Sequence, residues 1–142
     1  MRIYLDNCCL NRPYDDQSQQ RVRFETQAKL YIQRMVFERK IELVWSYVLK
    51  FENSRNPFVS KKHAIMRWEK LSSLFVTMSD DIVATAESIT KTGVKNTDAL
   101  HLACAIAGKC HYFITVDKRL LAYRDDRIII CNPIEFFNQT EI

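Results

Sequence analysis

Apolar residues fall in short blocks separated by polar turns, and their spacing changes from block to block. Residues 2–5 form an apolar run closed by Asp6, which predicts a first strand. A turn-rich stretch, Asn11-Arg12-Pro13-Tyr14-Asp15-Asp16, leads into a helix over about 18–39 with Phe24, Ala28, Tyr31, Ile32, Met35 and Val36 on one face. Residues 41–45 predict a second strand, and Ser46 is placed to cap a short helix ending near 53. Asn56-Pro57 has the form of an N-cap followed by proline at the first helical position, with Ala64, Ile65, Trp68 and Leu71 on the inner face of the helix it opens. Ser79 caps another helix, with Asp80 and Asp81 in its first turn, Lys91 near its end and Gly93 just beyond. Thr97 is expected to cap an apolar helix (Ala99, Leu100, Leu102, Ala103, Ile106) that Gly108 closes. Residues 112–116 then predict a buried strand, 118–123 a short helix and 127–131 a last strand.

This order of strands and helices is the βαβ rhythm, and the strands are continuously apolar rather than alternating. Both features predict an α/β fold, a three-layer α/β/α domain with a central, mainly parallel β-sheet. With 142 residues, 47% hydrophobic and 27% charged, the chain has the size of one domain, expected to span 1–142. Its 2 glycines fit neither a Gly-x-Gly-x-x-Gly turn nor a P-loop, which excludes the nucleotide-cofactor enzymes built on them. The net charge of +4 is compatible with an anionic partner. An odd number of cysteines (5), an opening Met-Arg-Ile-Tyr-Leu-Asp unlike a signal peptide, and no apolar run near the roughly 20 residues of a membrane span predict a cytoplasmic protein with free thiols.

In open parallel sheets ligands bind beyond the carboxyl ends of the strands. Asp6 follows the first strand and Asp117 the strand at 112–116; Asp98 lies in the first turn of the helix between them, and Glu52 about a turn and a half into the helix leaving the second strand. Taken singly, each aspartate could cap a helix or answer its dipole, and Glu52 could be a solvated helix residue. Together, carboxylates crowded into one cleft repel one another unless a cation joins them, and hard oxygen ligands suit Mg²⁺ or Mn²⁺.

Four segments carry a family resemblance: Ile3-Tyr4-Leu5-Asp6-Asn7, Trp45-Ser46-Tyr47-Val48-Leu49-Lys50-Phe51-Glu52, Thr97-Asp98-Ala99-Leu100-His101-Leu102-Ala103-Cys104-Ala105, and Ile114-Thr115-Val116-Asp117. The chain resembles the PIN-domain nucleases and, within them, the VapC-type toxins of toxin–antitoxin pairs. The resemblance covers essentially the whole chain and departs at Asn7-Cys8-Cys9, where many such toxins carry Thr or Ser next to the acid. It implies a Mg²⁺- or Mn²⁺-dependent endoribonuclease, an RNA substrate, a small antitoxin partner and a homodimer. On this reading Asp6 and Asp98 hold the principal cation, Asp117 completes its shell, and Glu52 positions a second cation or the attacking water.

The alternative is a non-catalytic PIN-like module that binds RNA or protein, although none of the four acids is missing. An aspartate-nucleophile phosphatase would need an acid at position 8, which is Cys8, and a phosphoaspartate receiver would need a lysine where Cys131-Asn132-Pro133 stands. Lys50, Arg55, Lys61, Lys62, Arg67 and Arg12 are candidate phosphate contacts or simply solvated charges. Thr115 either orients a carboxylate or packs inward. His101 is expected to be a hydrogen-bonded core histidine, and Trp45 and Trp68 to be core. Cys104, Cys110 and His111 lack the paired spacing of a zinc site.

Overall fold

The computed structural model describes residues 1–11 and 15–140. Its elements are β1 (Arg2–Leu5), α1 (Asn7–Asn11), α2 (Gln20–Phe37), β2 (Glu42–Ser46), α3 (Tyr47–Ser54), α4 (Val59–Leu71), β3 (Leu74–Val76), α5 (Asp80–Thr90), α6 (Asn96–Ala107), β4 (Tyr112–Ile114), α7 (Lys118–Leu121), β5 (Ile129–Cys131) and α8 (Pro133–Gln139). The five strands form one parallel sheet in the order β3-β2-β1-β4-β5. Right-handed crossovers place α2 on one face, where it packs on α8, and the packed pair α5 and α6 on the other. The expected three-layer parallel architecture is therefore present. Buried residues of both layers and the sheet form a single apolar cluster. Among the described residues, no helix is long and apolar enough to cross a membrane, and all five cysteines are unpaired.

The strand order fixes where a site can form. The chain leaves β1 toward β2 and β3, then crosses back to β4 on the other flank of β1. The crossover direction thus reverses between β1 and β4, which opens a crevice beyond their carboxyl ends. The residues that follow these two neighbouring strands, Asp6 and Asp117, sit at its mouth.

Several local expectations change. The proline of Asn56-Pro57 does not open a helix: Asn56 Oδ1 accepts from Phe58 N at 3.1 Å in a side-chain turn, and α4 begins at Val59. Lys95, rather than Thr97, occupies the N-cap of α6, and its side chain makes no capping bond. Ser46 and Ser79 cap α3 and α5 as expected, accepting from Leu49 N at 3.1 Å and Ile82 N at 3.3 Å. Gly93 takes the left-handed conformation, φ 102°, but Gly108 does not, and Lys109 (φ 59°) makes the left-handed turn after α6. Gly108 instead allows close approach, since a Cβ there would stand 3.0 Å from Val44 Cγ1. The turn at 12–14 lies outside the described residues. Residues 7–11, 74–76 and 133–139 form elements that the apolar pattern does not single out.

Helix α2 departs most. Ala28, Ile32, Met35 and Val36 are buried as expected, but Phe24 and Tyr31 are 50% and 38% exposed, and Glu25, Lys29 and Gln33 are buried. The buried face extends past the apolar one to take in an i, i+4, i+8 polar stripe. Tyr31 packs beside Phe137 of α8, with ring centroids 4.7 Å apart, and Lys29 Nζ lies 5.9 Å from the Trp68 ring centre. Trp45 is in the core as expected, and Trp68 is half-buried against it.

Burial lowers the Lys29 ammonium from 10.5 to about 8, with only a weak opposing effect of Cys9. Between these two values the unfolded chain holds a proton that the folded one has released, so stability rises with pH across that window. Lys29→Met is expected to raise stability at pH 7 by about 1–3 kcal/mol. That advantage should shrink as the pH rises from about 8 to 10.5, read by urea denaturation at each pH.

Candidate active site

Main-chain geometry delivers the first acid. Asp6 N continues the ladder to Ile114 O at 2.9 Å, and its carbonyl accepts from Cys9 N at 2.9 Å as α1 begins. The side chain cannot turn away and is only 6% exposed. A carboxylate so placed needs donors. Oδ1 accepts from Asn7 N at 2.8 Å, and Oδ2 accepts from Thr115 Oγ1 at 2.9 Å and Cys8 Sγ at 3.2 Å.

Of the two readings of Thr115, the structure shows the orienting one, with a fully buried side chain. The same Oγ1 that donates to Asp6 accepts from Asp117 N at 3.1 Å, joining the ends of β1 and β4. Asp117 caps α7, its Oδ1 accepting from Arg119 N at 2.8 Å. Oδ2 makes no hydrogen bond among the described residues. Asp98 stands half-buried in the first turn of α6. Its carboxyl is pushed up from the ordinary aspartate value, first by burial and then by the Asp6 and Asp117 carboxylates, with His101 and Lys95 pulling the other way. Asp98 therefore feels both other aspartates through space.

Glu52 joins them through a residue whose chemistry lay hidden in the sequence. His101 is 1% exposed, as a core histidine should be, yet both ring nitrogens are engaged. Nδ1 meets Tyr4 Oη at 2.6 Å, Nε2 contacts Glu52 Oε1, and Nε2 lies 4.0 Å from Asp6 Oδ1. Tyr4 Oη also meets Ser46 Oγ at 2.7 Å, and Ser46 Oγ accepts from Leu49 N. One proton arrangement satisfies the whole neutral chain: Ser46 donates to Tyr4, Tyr4 donates to Nδ1, and Nε2–H donates to the Glu52 carboxylate. The opposite order would set a nitrogen lone pair against a carboxylate. The available signal was spacing, since His101 lies one helical turn after Asp98 on the same face.

All four acids thus stand at one edge of the sheet, linked electrostatically. As the side chains stand, no three His, Cys, Asp or Glu among the described residues are grouped so as to hold one metal ion. The donor chemistry nonetheless fits a hard cation, because Mg²⁺ keeps much of its water and binds through one or two carboxylates plus phosphate oxygens rather than an all-protein cage.

Two hollows flank the acids. One, of about 320 Å³, is lined by Glu52, Asn7, Asn53 and Lys61; the other, of about 370 Å³, is lined by Asp98 with Lys95, Arg119 and Arg124. Of the described basic residues expected near phosphate, only Lys61 lines a hollow with one of the four candidate acids. Lys50 pairs with Glu69 at 3.9 Å, Arg55 lies over Phe51, and Arg67 lines a separate hollow with His63. The Lys62 carbonyl accepts from Asn53, and Arg12 lies outside the described residues.

No protein-family model and no curated protein matches the sequence. Among solved structures, the fold is similar to a chain in the crystal structure of VapBC2 from Rickettsia felis bound to a DNA fragment from its promoter. The TM-score is 0.58 at 12% identity, over 93% of this chain and 98% of that one.

Two outcomes follow from this geometry. The raised Asp98 value means the folded state binds more protons than the unfolded one as pH rises above the aspartate range, so stability falls there. In EDTA, Asp98→Asn should melt no lower than the parent at pH 7, with the gap closing as the pH falls toward 4, measured by calorimetry. Tyr4→Phe, which strands the Ser46 hydroxyl and His101 Nδ1 in the core, is expected to cost about 1–3 kcal/mol in urea denaturation.

Proposed function

We propose that this chain is a metal-dependent endoribonuclease that hydrolyses RNA phosphodiesters, the toxin of a toxin–antitoxin pair. The observation that carries the proposal is the convergence of the acids: Thr115 Oγ1 ties Asp6 to Asp117, His101 contacts Glu52 and lies 4.0 Å from Asp6, and Asp98 feels the Asp6 and Asp117 carboxylates. The sequence resemblance to VapC-type toxins and the fold likeness to a VapBC2 chain support it.

Asp6, Asp98 and Asp117 would hold Mg²⁺ or Mn²⁺. When bound, the ion supplies a lowered pKa for water and neutralises charge building on the phosphate oxygens. Asp6 is the fixed member, since three donors lock its two oxygens. Asp117 and Asp98 offer oxygens that no side chain occupies. Glu52 keeps Oε2 free while His101 Nε2–H anchors Oε1, so Oε2 accepts the proton of the attacking water. The water oxygen bonds to phosphorus, the phosphorus–ester oxygen bond breaks, and the leaving oxygen takes a proton from solvent. Water is the nucleophile, so the 2′-hydroxyl is not consumed, and the choice of RNA follows the family resemblance.

The antitoxin partner and the homodimer come from the same resemblance. Exposed Phe51, Phe58, Val59 and Met66 on and between the adjoining α3 and α4 offer apolar surface for a small partner. The alternative reading is a non-catalytic module that binds RNA or protein.

Labelled structured RNA separates the two. Cleavage is expected with Mn²⁺ and absent with EDTA, and Asp98→Asn and Glu52→Gln should each slow it by at least about 10²-fold. Equal cleavage in all four samples, or none with Mn²⁺ in protein freed of its partner, overturns the nuclease.

A further inference from the structure

The hollow beside Asp98 remains unexplained by the acids. It lies between the turn joining α5 to α6 and the segment containing α7, and Lys95, Arg119 and Arg124 all border it. None of these three makes an ion pair with a carboxylate among the described residues; Arg124 Nη1 reaches only main-chain oxygens, Leu121 O at 2.9 Å and Tyr123 O at 3.5 Å. Three cations against one acid, Asp98, leave the lining of the hollow net positive, which favours an anion there. The volume, about 370 Å³, falls within the roughly 300–1,000 Å³ of small-molecule sites and exceeds what a bare phosphate fills.

The remaining walls suit a larger group. Leu120 and the half-buried Tyr123 provide apolar surface, and the Tyr123 ring is held by its hydroxyl, which donates to Asp125 Oδ2 at 2.7 Å. Gly93, at φ 102°, turns the backbone away, and a Cβ there would meet nothing within 4 Å, so this rim is open. Asp98 is the shared wall. An occupant of the hollow therefore lies directly against Asp98.

We infer that this hollow is a nucleotide subsite: it holds the nucleotide next to the scissile bond, its phosphate between Lys95, Arg119 and Arg124 and its base or ribose against Tyr123. The inference rests on the RNA reading above and adds the residues that grip the strand. Arginine forks suit phosphate oxygens, and a fixed aromatic face accepts any base, so the subsite contributes affinity and register more than sequence choice.

The test is binding without cleavage. A fluorescein-labelled 12-nucleotide oligouridylate is titrated in EDTA, by anisotropy, against the parent chain, Lys95→Ala, Arg119→Ala, Arg124→Ala and Lys40→Ala. The last removes a charge just before β2, at the opposite edge of the sheet. Each of the first three should weaken binding roughly 3- to 10-fold at about 100 mM salt and flatten the plot of log affinity against log salt by about 0.7. Lys40→Ala should change neither. An oligouridylate carrying 5-iodouridine should photo-cross-link to Tyr123 in the unmutated protein, which keeps the test independent of any variant's folding. Excess uridine 5′-monophosphate should suppress that cross-link, whereas inorganic phosphate or an oligoglutamate of equal charge should do so less well.

Unchanged slopes, an equal effect of Lys40→Ala, cross-links only elsewhere, or competition by oligoglutamate as strong as by the nucleotide each overturn the subsite. Its failure is distinct from that of the nuclease. A protein that binds in this way yet does not cut with Mn²⁺ loses the activity and keeps the subsite; one that cuts while the three variants bind normally loses the subsite alone.

Discussion

A single hydroxyl ties the site to the fold. Thr115 Oγ1 donates to the Asp6 carboxylate and accepts from the Asp117 amide, so it joins the ends of two strands that are neighbours in the sheet and 109 residues apart between Thr115 and Asp6. That bridge is available only because β4 pairs directly with β1, with Leu5 opposite Ile114. A register slip of one residue would turn Thr115 to the other face and leave a buried carboxylate short of a donor. Sheet order, register and site are thus one constraint. The burial of Asp6 is tolerable only in this pairing, and this pairing brings Asp117 alongside it.

What could be read in the chain, and what could not, divides along the same line. Asp6, Asp98 and Asp117 were legible because strand ends and helix starts can be located from local pattern, and topology then gathers them. Glu52 was legible as a position but not as a partner of His101, since that contact joins α3 to α6 across 49 residues. The polar part of the buried face of α2 was illegible for a different reason. A face bearing Phe24 and Tyr31 looks buried by hydrophobicity alone, yet the structure buries Glu25, Lys29 and Gln33, and no helical period reveals which polar residues will find partners. Cys8 shows a milder version: its thiol donates to Asp6 in the segment where the family resemblance implies a hydroxyl.

The acids differ in how tightly they are held, and this difference has a chemical consequence. Asp6 is saturated with donors and nearly dry, Glu52 is anchored through one oxygen, and Asp98 and Asp117 are half-exposed with free oxygens. Preorganisation is greatest where a shift would disturb the sheet and least where an incoming group must be accommodated. Asp98 holds a particular place in this scheme. It feels Asp6 and Asp117 on one side and Lys95 on the other, and it is the one acid that also borders the cationic hollow.

That arrangement bears on why the acids are not already gathered around one point. Three carboxylates drawn to ligand distances without a cation would repel strongly in a partly dry crevice, so a chain that binds its cation only after folding, as proposed above, would do better with them apart. A hydrated Mg²⁺ needs only one or two carboxylates and takes remaining oxygens from water and phosphate. A phosphate gripped in the neighbouring hollow would carry its oxygens toward Asp98 and lessen the distance the aspartates must move. On this view substrate and cation complete the site together. The balance of +4 on the whole chain conceals an acidic side and a cationic side that meet at Asp98.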